Sequence, residues 1–176
     1  MGKTAENEKD TNGILDEFTE SVTVLHGIFS PKTFDDIVRK SVRDVFVLEG
    51  RPSLESAQFS CRELIKRKVK PTLIADNMAG FLFYKNLVKE VWISYQVADD
   101  DGALCQIGAL ILGVLGKRHS VPVRLFPSSQ RLALLGKDKE ILYFNGVKVA
   151  PRNVKGYVPL AEWVPRKYIS EIVKEK

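Results

Sequence analysis

Two cysteines, two histidines and two methionines are all that 176 residues contain, and each scarcity removes a class of chemistry. Cys61 and Cys105 stand far apart in no metal-like spacing, which excludes a disulfide scaffold and a cysteine-rich zinc site. Both read as small buried hydrophobes. His26 and His119 are too few and too distant to suggest zinc, and neither has an obvious nucleophile partner for a Ser/His/Asp arrangement. No GxGxxG follows the first apolar run and no GxxxxGK[ST] occurs, so neither common nucleotide loop is present. No metal and no cofactor is implied. The longest apolar run, residues 103–116, falls short of the roughly 20 residues that cross a bilayer. The polar, acidic N-terminus does not resemble a secretory leader, so the expectation is a cytoplasmic protein without a membrane partner.

What is there is ordinary for a soluble globular chain: 44% hydrophobic and 28% charged residues. The length suits one domain with a core of its own. Residues 1–10 are polar and read as disordered, and 11–20 read as a short helix. Residues 21–176 then form a single α/β domain by pattern. The net charge of +5 and pI of about 9.2 are compatible with nucleic acid, membrane surfaces or small anions. The densest basic run, residues 62–70, lies at a predicted helix end, where cations complement the dipole. It lacks the interleaved aromatics of a single-strand binding platform, which argues against nucleic acid.

Five short apolar runs recur, at 22–25, 45–48, 72–75, 91–94 and 122–125, and helical patterns separate them. Those helices are predicted at 31–42, 53–68, 78–89 and 103–117, the last apolar nearly all round. Ser30 and Pro31 form an N-cap and first helical position. Strands without polar alternation, each followed by a helix, predict a Rossmann-like, doubly wound parallel sheet covered on both faces. A hairpin about Asn145-Gly146 and a terminal helix over 165–175 are predicted to follow.

In such a sheet ligands bind outside the carboxyl ends of the strands. The loops to read are therefore His26 to Ser30, Glu49 to Pro52, Asp76-Asn77, Tyr95 to Gly102 and Pro127 to Gln130. They offer Arg51 for bidentate phosphate contact, with Ser30, Ser128 and Ser129 as hydroxyl donors near helix N-termini. ADNMAG, residues 75–80, poses the sharper question of a carboxylate and an amide between a buried strand and a helix. Either residue serves as a helix cap, and Asp76 also faces the edge that carries Arg51. An Asp76–Arg51 ion pair bracing the two loops is the expectation.

The stretches FVLEGRPSLESAQFSCREL and VKPTLIADNMAGFLF carry an acidic-x-Arg-Pro loop and, 25 positions after Arg51, an Asp-Asn loop. This pairing resembles the methylthioribose-1-phosphate and ribose-1,5-bisphosphate isomerases. The same superfamily holds the regulatory subunits of the exchange factor for eukaryotic initiation factor two. The likeness continues through DDDGALCQIGALILGVLGKRHSVPV and FPSSQ to the closing segment, over roughly residues 22–176. The resemblance implies a ligand site at Arg51, Asp76, Asn77, Ser128 and Ser129, and a phosphorylated small molecule as its occupant. It also implies a homodimer, for which the apolar segment 157–164 is a candidate contact. In the isomerases a helical domain precedes this one, a catalytic cysteine follows the first strand and a catalytic aspartate closes a turn after the fourth. Here Gly27 stands at the cysteine position, Gln96 (or Tyr95, one residue away) at the aspartate position, and Cys105-Gln106 at an Asn-Lys pair. No residue is therefore assigned as catalytic.

Three functions follow. The first is a non-catalytic relative that binds a phosphorylated ligand or a protein partner. The second is an active aldose–ketose isomerase on a pentose 1-phosphate, completed by another chain and with Asp99, Asp100 or Asp101 in the missing role. The third is nucleic-acid binding through the basic surface, marked by steep salt dependence.

Overall fold

A computed structural model describes residues 21–40, 42 and 44–174; the helix expected at 11–20 and the polar tail lie outside them. Six strands run parallel in the order β10-β6-β4-β1-β2-β3. They are β1 (Val22–His26), β2 (Val45–Leu48), β3 (Pro71–Ile74), β4 (Val88–Ala98), β6 (Val123–Pro127) and β10 (Glu171–Ile172). The helices α1 (Pro31–Arg39), α2 (Glu55–Lys66), α3 (Met78–Tyr84) and α4 (Ala109–His119) connect them. The doubly wound α/β class is as expected, with its switch point between β1 and β4.

Every residue of β1 and β2 is buried, as strands covered on both faces require. Alternate residues feed two cores. Val22, Val24, Phe46 and Leu48 pack with Leu82, Phe83 and Leu112 of α3 and α4. Leu25, Val45 and Val47 pack with Phe34, Ile37, Ala57 and Leu64 of α1 and α2. On this second face Trp92 stacks on Phe126, ring centroids 4.3 Å apart.

Three expectations are corrected. The helix expected over 103–117 begins only at Ala109, because its first part is the strand β5 (Gly102–Gln106). β5 pairs antiparallel with the outer half of β4 and with β9 (Ala161–Pro165). A short apolar run reads alike as buried strand or buried helix, and Gly108, at φ 99°, breaks the two apart. The terminal helix is absent among the described residues. A 3-10 turn, Arg166–Tyr168, leads into β10, which pairs parallel with β6 and satisfies that strand's open edge. α3 ends at Tyr84, since residues 88–98 belong to the long β4. The hairpin about Asn145-Gly146 is present but small: α5 (Lys139–Leu142) runs into β7 (Tyr143–Phe144), which pairs with β8 (Val147–Lys148).

Candidate functional site

The carboxyl edge of the sheet carries a cavity of about 230 Å³ lined by Arg51, Pro52, Ser53, Gln106, Ile107, Gln130, Arg131, Leu132 and Glu140, among others. A second hollow, about 300 Å³, lies at the opposite edge between the end of α4 and the start of β6, lined by Lys117 and Lys167. It is remote from every loop that the strand order marks as functional. The Arg51 cavity is the one at the ligand-binding edge of this architecture.

Asp76 builds the floor of the Arg51 loop. Its two carboxylate oxygens accept the Gly50 amide at 2.9 Å and the Arg51 amide at 2.7 Å. This corrects the expected ion pair: Asp76 holds the backbone of Arg51, and the guanidinium lies 4.7 Å from the ring centroid of Phe144. Gly50, at φ 71°, makes the turn that aims two successive amides at one carboxylate. Neither residue of the ADNMAG pair caps α3 with its side chain. The Met78 amide instead donates to the Ala75 carbonyl, and Asn77 is exposed, outside the cavity.

The two serines differ from expectation as well. Ser128 Oγ lies 2.8 Å from both the Ile28 and the Gln130 carbonyl oxygens and accepts the Gln130 amide at 3.2 Å, so it ties the loop after β6 to the loop after β1. Ser129 is exposed and does not line the cavity. Ser30 is buried with its hydroxyl 3.2 Å from that of Thr33, and its carbonyl, not its side chain, takes the Thr33 amide at the start of α1.

At the switch point stand Gly27 and Gln96. Gly27 has φ 107°, and a Cβ added there would lie 2.0 Å from Ser94 Oγ. Gln96 Oε1 accepts the Leu132 amide at 3.0 Å, while its Nε2 is buried with no hydrogen-bond partner among the described residues. His26, also buried, donates from Nε2 to the Ile107 carbonyl at 2.9 Å, which fixes its neutral tautomer and leaves Nδ1 as an unpartnered acceptor. Burial pushes the His26 pKa down, against the raising pull of Asp76, the Ile107 carbonyl and Glu162.

The remaining candidates for proton transfer are elsewhere. Cys105, corrected from helix to β5, lies in the core, where burial and then Glu162 push its thiol up to about 12. Burial also raises the thiol of Cys61 in α2. Asp99 closes the β4–β5 turn by accepting the Asp101 and Gly102 amides at 2.9 and 3.1 Å. Glu162 reaches from β9 to accept the Gly108 and Leu110 amides at 2.7 and 2.9 Å, so a carboxylate already occupies the N-terminus of α4.

Of the five expected ligand residues the structure thus brings only Arg51 to the cavity wall, with Asp76 beneath it. Sequence reasoning missed Arg131 and Glu140. Arg131 directly follows the loop that was read, whereas Glu140 sits in the charged run KDKE, which carries no signal beyond a solvated surface.

The profile of the Initiation factor 2 subunit family matches residues 36–176. The methylthioribose-1-phosphate isomerase of Syntrophus aciditrophicus is 33% identical over 143 residues, 74% of this chain and 39% of that protein. The one of Thermus thermophilus is 32% identical over 147 residues, 77% of this chain and 44% of that protein. The chain thus spans about two fifths of the length of these curated relatives. Among solved structures, the delta subunit of translation initiation factor eIF-2B from A. fulgidus superposes with a TM-score of 0.74 at 20% identity, covering 89% of this chain and 53% of that one. The 5-methylthioribose 1-phosphate isomerase of Pyrococcus horikoshii gives 0.73 at 20% identity, with 89% and 51% covered. Both show the same fold. With its profile match over most of the chain and these relatives in sequence, the protein belongs to the Initiation factor 2 subunit family.

Proposed function

We propose that the protein is a ligand-binding relative of the sugar-phosphate isomerases, holding a phosphorylated small molecule at Arg51 without isomerising it. The observation that carries this reading is Gly27. At the position of the isomerases' cysteine, the backbone has a glycine φ and no room for a Cβ beside Ser94. Aldose–ketose isomerisation moves a proton or hydride between neighbouring carbons and requires an acid/base pair. Glycine has no group to offer, and the Gln96 amide does not titrate near neutrality, with its oxygen already accepting the Leu132 amide. The binding half of the chemistry remains. Arg51 and Arg131 supply fork-shaped donors for a phosphate, and Asp76 holds the Arg51 backbone in place.

The test is a thermal-shift titration with pentose phosphates, nucleoside monophosphates and inorganic phosphate. A ligand at about a hundred times its dissociation constant adds about 2.7 kcal/mol of stability. Selective stabilisation by one phosphate, lost in Arg51→Ala, is the expected result. A flat panel overturns the binding reading, and the search then moves to protein partners.

One observation favours the second reading, an active isomerase: the relatives matched over 74% and 77% of this chain are methylthioribose-1-phosphate isomerases. Turnover of methylthioribose 1-phosphate by the protein with a co-purifying chain would establish it. A homodimer belongs to the same proposal. Met78, Phe81 and Tyr84 recur every third residue along α3 and are exposed, an apolar row that solvent does not stabilise.

A further inference from the structure

We infer that the hollow at the opposite edge of the sheet is an anion site in its own right, separate from the Arg51 cavity, and that it takes a multiply charged oxyanion. Its volume is about 300 Å³. It lies where the end of α4, the start of β6 and the 3-10 turn Arg166–Tyr168 meet.

Charge of one sign lines it. Lys117 comes from the last turn of α4 and Lys167 from the 3-10 turn, and among the described residues no carboxylate shares the wall. The Arg51 cavity differs, since Glu55 and Glu140 line it beside the two arginines. The two lysines converge on one place. Their Nζ atoms lie 5.6 and 5.1 Å from the centroid of the same ring, that of Tyr168, which also lines the hollow. Arg39, Lys66, Arg67 and Arg124 have carboxylate partners, whereas among the described residues neither Lys117 nor Lys167 has one. Glu171, the acid next along the chain from the wall residue Ser170, is turned to Arg124 at 3.3 Å. The dipole of α4 accounts for one cation at that helix end. It does not account for a second, brought from another element to the same ring, where like charges repel. An anion between them replaces that repulsion with two attractions.

The wall also supplies an oriented hydroxyl. Ser170 Oγ accepts the Val123 amide at 3.0 Å, which leaves its own proton to donate. The frame around it is fixed by backbone contacts. Gly113 and Gly116 let the turn and β6 come close to α4: a Cβ on the first would lie 3.0 Å from Tyr168 Cβ, and one on the second 2.4 Å from Val123 Cγ2. The Arg166 guanidinium donates to the Ile169 carbonyl and closes the turn that carries Lys167 and Tyr168. The Ser170 amide donates to the Val123 carbonyl at 2.8 Å, so turn and strand are tied on both sides of the hydroxyl. An ammonium is a compact point charge with rotatable donors and imposes no planar geometry. Two ammoniums and a hydroxyl therefore select by charge, and a tetrahedral oxyanion with two or more charges suits them.

The experiment uses pyrophosphate as the probe. Calorimetric titration at fixed ionic strength gives its affinity, and amide shifts of the nitrogen-15-labelled protein give its place. The expected result is saturable binding with shifts at residues 117–123 and 167–170. Lys117→Gln combined with Lys167→Gln weakens that binding about tenfold or more. Both lysines are exposed, so the fold is expected to survive, and circular dichroism checks it. Two controls keep the affinity at these amides within about twofold. Lys68→Gln combined with Lys70→Gln removes the same charge from exposed positions before β3, and Arg51→Ala empties the other cavity of its arginine. Equal weakening by the Lys68 and Lys70 pair assigns the binding to net charge and overturns the inference. Shifts confined to the Arg51 cavity overturn it while the reading of that cavity stands. No saturable binding overturns it as well.

Discussion

Asp76 illustrates how one side chain sets the geometry of a loop through its backbone amides. Its two oxygens saturate two successive amides, and charge-assisted bonds of this kind contribute about 1.5–3 kcal/mol each. Asp76→Asn keeps one acceptor and turns the other into a donor facing an N–H. A loss of roughly 2 kcal/mol in urea unfolding is expected, with weakened phosphate binding; an unchanged midpoint would show that the loop holds itself. His26 gives a prediction in pH. Burial holds its folded-state pKa below the ordinary 6.5, so the unfolded chain takes up a proton before the folded one does. Stability is therefore full above about pH 7 and falls as the pH drops below 6.5, until the folded-state value is passed. The slope reaches at most about 1.4 kcal/mol per pH unit. His26→Gln, which can still donate to the Ile107 carbonyl, is expected to be flatter over that window. If wild type and variant share one slope, His26 is not its source.

At the scale of elements, the telling case is α4. Its first turn would be an anion site in its own right, yet Glu162 of β9 fills it by accepting two amides. The strand that pairs with β5 thus also caps the helix that follows β5. Glu162→Ala is expected to lower stability by about 1 kcal/mol, the usual worth of a lost cap with its dipole partner. Glu162→Gln should recover part of this, because the amide oxygen still accepts. A thermal melt of the two variants decides it, and identical melting of Ala and wild type would leave Glu162 as a bystander.

For the whole molecule, the apolar row on α3 sets an expectation about assembly. Tyr84 is 75% exposed and Phe81 45%, at the surface of the sheet's α3–α4 face. Light scattering is expected to give twice the 19.8 kDa of one chain, and Phe81→Glu to return the monomer. A monomeric wild type at tens of micromolar removes the dimer from the proposal. The segment 157–164, the other candidate contact, divides its apolar residues. Val158 and Val164 are buried in the monomer, while Tyr157 and Trp163 face outward.

The alternation of apolar runs with helical patterns was enough to determine the doubly wound sheet and which loops share its carboxyl edge, because buried parallel strands need unbroken apolar runs such as VFVL. Arg51 was legible for the same reason: it follows a strand end. Short segments were not legible, since ALCQ and the mixed stretch SEI suit a strand or a helix alike and only their neighbours β4, β9 and β6 offered them hydrogen bonds. The roles within the site were decided by tertiary structure alone. Whether Asp76 meets a guanidinium or two amides depends on the turn at Gly50. Glu140 becomes a cavity wall because the 33 residues between β6 and β9 fold back over the sheet's edge. Sequence spacing sets which groups are available. Three-dimensional approach decides which polar groups lose water and must find a partner.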